Sequence, residues 1–262
     1  MTRLIKTKEE IVAIKQGGLK LGKILAELSA MVKSGLSSAD LENRALALIE
    51  ATGGEPAFKN FQASPDSKPF PTALCISIND EIVHGPALPE RFFKDGDIVS
   101  IDIGMRWPKA NGYFTDTAVT VAVGSIAKET QRLLEATREA LYAGIEKVKP
   151  GNTLDDIGSA IESVARKYKL GVVRDLVGHG VGLEVHEEPQ IPNYHIKGND
   201  FPNIELETGM VIAIEPMFTL GDWRIKVAKD NFTFLTADNS LSAHFEHTVA
   251  VTENGYDIIT QQ

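Results

Sequence analysis

Cysteine is nearly absent: Cys75 is the only one in 262 residues. An internal disulfide is therefore excluded, and a reducing, cytoplasmic setting is expected. Long apolar runs are missing as well. Nothing approaches the roughly 20 consecutive apolar residues of a membrane span, so no membrane association is expected. Residues 1–10 carry Arg3, Lys6 and Lys8 without an apolar stretch, which argues against a secretory leader. Positive charge is in deficit, with 27 Lys and Arg against 36 Asp and Glu and a net charge of -9. A nucleic-acid partner, which would call for a basic patch, is not expected. No low-complexity or linker-like segment divides the chain. What is present, 43% hydrophobic and 24% charged residues, suffices for one large domain or two small ones.

Periodicity predicts helix from about Thr7, where Thr7 and Glu10 make a capping-box pattern, through Ile11, Ile14, Leu21, Leu25, Leu28 and Val32 to a stop at Gly35. A second helix fits Ser37 to about Ala51, with Asp40 in its first turn. Strand-like runs follow at Ala73–Ile78, Asp97–Ile103 and Thr117–Val123. The order then recurs: helix from Lys128 to Val148, stopped by Pro150-Gly151; helix from Thr153 to about Lys169; strands at Met210–Ile214 and Phe245–Thr252. The junctions Val32-Lys33-Ser34-Gly35 with Asp40-Leu41, and Val148-Lys149-Pro150-Gly151 with Asp156-Ile157, share one spacing. This suggests a single domain over residues 1–262 built from two similar halves, about 1–124 and 125–262. Any helix hairpin needs a glycine and a cap, so coincidence is an equally open explanation at this point. A seam between halves is a natural ligand site.

Four acids sit where strand patterning disfavours them. Val99, Ile101 and Ile103 define one strand face and Asp102 lies on the other; Val119, Val121 and Val123 likewise oppose Asp116. Trp107-Pro108 and Asn111-Gly112 are turn signals, predicting an antiparallel hairpin that brings the two aspartates together. Glu215 ends the run Met210–Ile214, and Glu246 opens an alternating strand. Any one of them alone reads as a solvent-facing acid. Burying several unpaired carboxylates costs several kcal/mol each unless a cation neutralises them. Arg106 and Arg224 are the nearby candidates, and a hard divalent ion fits better. His179, among the glycines of Gly178-His179-Gly180-Val181-Gly182, adds a softer ligand. His84 and His186, taken singly, read as ordinary surface or core residues.

At these positions the chain resembles the type I methionine aminopeptidases over essentially its whole length. The motifs are Cys75 through Gly85, Ser100-Ile101-Asp102, Thr115-Asp116-Thr117, the His179 glycine run followed by His186-Glu187-Glu188-Pro189, Ile214-Glu215-Pro216, and Leu241 through Thr248. The resemblance implies the α/β (α+β) pita-bread fold, two pseudo-symmetric helix-pair-plus-antiparallel-sheet halves around a dinuclear metal site. It implies two divalent ions (Co, Mn, Fe, Zn or Ni) bridged by Asp116 and Glu246, with Asp102 on one and His179 and Glu215 completing the other. A metal-activated hydroxide would attack the scissile carbonyl. Glu215 would shuttle its proton, His186 would hydrogen-bond the carbonyl oxygen, and His84 would contact the scissile amide or the following residue. Phe61, Phe70, Cys75 and Phe232 would form the apolar methionine pocket; by themselves they also read as ordinary core. The implied substrates are N-termini of nascent polypeptides with a small second residue, the implied state a monomer, with a ribosome contact that no residue here marks.

The chain also departs from that family. The Asp102–Asp116 connection is longer, His244 stands where glutamine is usual, Phe232 where tryptophan is usual, and Val185 where an aromatic is usual. Gln62–Lys68 reads as an insertion. These differences bear on pocket shape and leave the ligand set intact. The alternatives are another pita-bread peptidase, a prolidase or aminopeptidase P, whose extra N-terminal domain has no room before Cys75, or a pita-bread binding protein that has lost catalysis.

Overall fold

Helix ends are set locally. In the computed structural model, which describes residues 3–198 and 201–261, α1 (Lys8–Met31) starts at the expected capping box, Glu10 N donating to Thr7 Oγ1 at 3.2 Å and Thr7 N to the Glu10 carboxylate at 2.7 Å. Residues 1, 2, 199, 200 and 262 of the expected single unit lie outside the described residues. α2 (Ser38–Ala51) is capped by Ser37 with Asp40. α3 (Lys128–Ile145) has no side-chain cap, and α4 (Leu154–Tyr168) follows Thr153, whose N–H donates to Asp156 at 2.8 Å. Two helices stop earlier than their apolar spacing predicts. α1 ends at Met31 because Val32 is already extended. α3 ends at Ile145, yet Val148 remains fully buried, carried on a tightened turn in which its N–H reaches only Ile145. Both helix junctions turn alike: Gly35 has φ 85 and Gly151 φ 87, two residues before the Ser37 and Thr153 caps, a left-handed conformation that glycine adopts without penalty.

The first part of the chain contributes β1 (Glu55–Pro56), β2 (Leu74–Ile78), β3 (Glu81–Val83), β4 (Ile98–Trp107) and β5 (Tyr113–Ala122). The second contributes β6 (Gly171–Val172), β7 (Gly178–Gly180), β8 (Glu187–Ile191), β9 (Val211–Ile214), β10 (Met217–Thr219), β11 (Ile225–Val227), β12 (Phe234–Thr236), β13 (Ser242–His244), β14 (Glu246–Thr252) and β15 (Gly255–Ile258). The main antiparallel sheet runs β1-β4-β5-β14-β9-β7-β8, with β2 added on β4 and β15 on β14. Two small sheets, β13-β10-β6 and β11-β12-β3, flank it.

The hairpin β4–β5 is the one predicted, but longer at its tip. Pairing continues past the site to Trp107↔Tyr113, so the extra residues of this connection extend the tip and leave the register around Asp102 and Asp116 unbroken. One face of the sheet is covered by helices. Leu21, Leu25, Leu28, Leu41 and Ile49 pack on Val99, Ile101 and Ile103; Leu133, Leu141, Ile157 and Ile161 pack on Ile212, Ile214, Val249 and Val251. The opposite face is free to carry polar groups. Among the described residues, no helix is long and apolar enough to cross a membrane.

α1 carries glycines because the end of the chain runs against it. A Cβ on Gly18 would lie 2.7 Å from the Ile259 carbonyl oxygen, and one on Gly22 2.8 Å from that of Thr260. A Gly→Ala change inside an exposed helix ordinarily stabilises by about 1 kcal/mol. Gly18→Ala should instead destabilise by about 1–3 kcal/mol through overpacking, read as a lower urea midpoint; an unchanged or higher midpoint would show that the segment at Ile259 and Thr260 can retreat freely.

Candidate metal centre

Three strands place the acids in register. Asp102 on β4 lies opposite Ala118 on β5, and Ala118 lies opposite Glu246 on β14, so the two carboxylates flank a methyl group on the helix-free face. The small Ala118 leaves open volume between them. Asp116, two residues along β5, shares this face. Its backbone is tied to β14 through Thr248, whose Oγ1 accepts from Asp116 N at 3.0 Å and donates to Asp116 O at 2.8 Å. Glu215 directly follows β9, and His179 is the centre of β7, opposite Ala213.

These five residues converge. Ligand atoms of Asp102, Asp116 and Glu246 lie within 4.8 Å of one another, as do those of His179, Glu215 and Glu246, and those of Asp116, His179 and His186. Asp116, Glu246 and His179 each belong to two of the three groups. The glycines around His179 answer to neighbouring backbone: a Cβ on Gly178 would strike the Ala213 carbonyl, and one on Gly180 that of Glu188. They let β7 be squeezed between β9 and β8, and make no room for a ligand.

The charge balance of the cluster decides what it can hold. Asp102, Asp116 and Glu246 are buried, and among the described residues no lysine or arginine forms an ion pair with any of the four carboxylates. The two arginines considered from sequence are engaged elsewhere, Arg106 with Glu55 and Arg224 with Asp222. Asp102 Oδ1 and Glu246 Oε1 have no hydrogen-bond partner. Burial pushes the Asp116 carboxyl up to about 7. Burial, then the neighbouring carboxylates, hold Asp102, Glu215 and Glu246 well above the usual carboxylate range. Burial pushes the imidazoles the other way, His84 to about 4 and His179 to about 3. A set of oxygen donors with orphaned lone pairs and a neutral imidazole is what a divalent cation requires, and the residues fit one.

Above this floor lies a cavity of about 890 Å³. Phe61, Phe70, Cys75 and Phe232, the four expected pocket residues, line it together and pack as one apolar cluster that also contains Phe58 and Val185. Phe70 and Phe232 meet edge to face at 5.4 Å. Residues 62–68 loop out from a closed base in which Phe70 N donates to the Phe61 carbonyl at 2.8 Å, and Ser67 and Lys68 reach the rim. His186 stacks edge-on against Phe61 at 5.1 Å and His179 at 4.5 Å. His84, at φ 60, contacts the ring of Phe234 at 5.4 Å. Both histidines, His84 and His186, line the cavity and keep accessible surface there.

Outside the 62–68 loop, sequence reading left four lining residues unassigned: Phe58, Leu176, Asn231 and Phe234. Phe58 and Phe234 look like ordinary core aromatics in one dimension, and Leu176 sits in an unpatterned loop. His244 was visible only as a departure from the family. Its fully buried ring lies 3.6 Å from Glu215 and 4.0 Å from Glu246, with neither nitrogen hydrogen-bonded. Burial pushes it to about 3.

A curled antiparallel sheet bearing carboxylates and a histidine under an apolar cavity is the arrangement of a metal-dependent peptidase. The chain belongs to metallopeptidase family M24, whose model matches residues 13–253. Within that family it falls among the methionine aminopeptidases. It is 44% identical to the methionine aminopeptidase of Aquifex aeolicus, over 97% of both chains. The crystal structure of methionine aminopeptidase from Thermotoga maritima superposes over the whole of both chains at TM-score 0.91 and 40% identity. Prolidase from Pyrococcus furiosus is more distant, at TM-score 0.73 and 28% identity, and this chain covers 66% of its length. The pita-bread fold implied by the motifs is the fold found.

The sign of the pH dependence follows from the raised carboxyls. Below about pH 7 Asp116 holds a proton in the metal-free fold, and a cation must displace it. Stabilisation by added divalent metal should shrink as the pH falls through about 7, where Asp116 takes up its proton. The check is the melting-temperature increment with and without metal from pH 8 to 5.5; a constant increment would contradict the assignment.

Proposed function

We propose that the chain removes the N-terminal methionine from nascent polypeptides, preferring a small second residue, as a two-ion metallo-aminopeptidase acting through the residues described above. The observation carrying this reading is the row Asp102, Ala118, Glu246 with Asp116, His179 and Glu215 around it, at the floor of an apolar cavity. Asp116 and Glu246, the carboxylates common to two ligand groups, would be shared between the two ions, Asp102 would complete one position, and His179 with Glu215 would complete the other. When bound, the ions supply Lewis acidity, lowering the pKa of water and polarising the scissile carbonyl.

The chain's own groups do the rest. Glu215 is the proton shuttle from nucleophile to leaving amine. His186, neutral because desolvation lowers its pKa, is a hydrogen-bond donor to the carbonyl oxygen as negative charge develops there. His84 contacts the scissile amide or the following residue. Phe61, Phe70, Cys75 and Phe232 enclose the methionine side chain and exclude water. Residues 1–262 act as one catalytic unit of two halves.

A donor set of carboxylates with one imidazole accepts Co, Mn, Fe, Zn or Ni, and availability selects among them. The lone cysteine suits a cytoplasmic setting, and we take the enzyme to act as a monomer on chains emerging from the ribosome. A prolidase-like activity is disfavoured by the lower similarity to that branch. A non-catalytic binding role is disfavoured by the presence of all five ligands with both histidines.

Asp116→Ala and Glu246→Ala should each abolish hydrolysis of Met-Ala-Ser and most metal retention, measured by peptide assay and metal counting; full turnover in either would sink the ligand assignment. His186→Ala should lower turnover about 100-fold or more with metal retained, the loss expected of one oxyanion donor. Comparable cleavage of N-terminal Leu, Lys and Pro peptides would reject the methionine pocket.

A further inference from the structure

The segment ahead of α1 carries no group assigned to the chemistry, yet it enters the structure beside the site. Lys6 Nζ donates to Glu187 Oε2 at 2.6 Å, and the two side chains are 1% and 0% exposed. Both neighbours of this contact are fixed. Lys6 N donates to the Gly209 carbonyl at 2.8 Å, Ile5 bridges Met210, and Lys6 Nζ also donates to the Arg3 carbonyl at 3.2 Å. Glu187 opens β8 and uses its other oxygen on the preceding turn: Oε1 accepts from Leu183 N at 2.5 Å and from Glu184 N at 3.0 Å.

That turn, Gly182 to Glu187, carries Val185 in the apolar cluster and His186 over the ligands. Gly182 has φ 135, where a side chain is strained, and a Cβ there would lie 3.2 Å from Lys6 Cε. The turn is therefore closed on one side by the lysine stem and on the other by a carboxylate that gathers its amides. Removing either partner of a pair buried this completely would leave the other uncompensated in the interior.

We propose that Lys6 and Glu187 are a buried positioning pair that fixes the 182–187 turn and thereby the approach of His186 to the substrate carbonyl. The inference rests on the role given to His186 above. Lys6 balances the charge of the Glu187 carboxylate that holds the turn amides, so the N-terminal segment, although outside the cavity, bears on turnover for as long as residue 187 is a carboxylate. Small displacements of a group that must meet a developing charge are costly, a misplacement of about 1 Å amounting to a factor of about 100.

The test compares two double variants that each remove both charges, so that neither leaves an unpaired ion in the interior. Lys6→Met/Glu187→Gln keeps an oxygen acceptor for the Leu183 and Glu184 amides. Lys6→Met/Glu187→Leu removes it. On Met-Ala-Ser at saturating metal, the first should keep kcat within about threefold of the parent, and the second should lose about 10- to 100-fold in kcat with KM changed less than about threefold. Both should retain metal at the parent stoichiometry. In a His186→Ala background the difference between the two variants should collapse to under about threefold, because the turn would have nothing left to position. The ring resonances of His186 in the metal-free protein should shift in the Leu variant and not in the Gln variant.

Equal kcat in the two double variants, or a difference that survives in full without His186, would overturn the proposal and leave the catalytic reading standing. Full turnover of His186→Ala alone would overturn that reading and this inference with it.

Discussion

Four carboxylates on one face of a sheet repel one another, and low-dielectric surroundings make the repulsion expensive. The rest of the site is arranged around that constraint. Ala118 lies between Asp102 and Glu246 across three strands, so that only a methyl group separates the two acids on that face. Thr248 and Thr117 tie the acid-bearing backbone across β5 and β14, Thr117 Oγ1 donating to the Glu246 carbonyl at 2.8 Å. The nearby imidazoles are kept neutral by the same burial, which leaves His179 a lone pair to donate. Neutral His244 adds no charge to the cluster.

The contrast with a second cluster shows what burial contributes. Asp155, Ser159 and His195 also lie together, but on the surface, with the aspartate and the serine both on the same ring nitrogen, Nδ1. A relay needs its two partners on opposite nitrogens. Here Asp155 also accepts from Ile196 N, and the cluster stitches a loop to the start of α4. Similar residue types, without enclosure and without divergent geometry, make a structural clasp.

Function is divided between a rigid floor and variable walls. The floor is strand-borne, held by continuous pairing through β4, β5, β14 and β9. The walls come from loops: Phe58 and Phe61 before the long connection to β2, Val185 and His186 from the turn before β8, Phe232 from the connection ahead of β12. Departures from the methionine aminopeptidase pattern follow this division. The longer β4–β5 connection extends a hairpin tip and leaves the register at Asp102 and Asp116 unbroken, and residues 62–68 loop out of a closed base and touch the cavity at its rim. Val185 and Phe232 change the wall itself.

Much of this was legible in one dimension. The capping box at Thr7, the helix starts at Ser37 and Thr153, the alternation in β4 and β5, and the turn signals between them depend on neighbours within a few residues, and the structure follows them. The conflict between Asp102 or Asp116 and its strand was equally local, and it pointed to a cation before any family likeness was considered. Helix ends were less legible, because α3 finishes in a tightened turn that still buries Val148 at the same phase. What only the tertiary structure decided concerns residues far apart in sequence. That Ala118 is the spacer between two acids depends on the register of three strands. That Phe58 and Phe234 face the cavity depends on loops whose course no period records, and the Lys6–Glu187 contact joins groups 181 residues apart. Local chemistry sets which residues are out of place in a strand or cap a helix; only the closed fold determines which of them meet, because meeting is a property of register and packing.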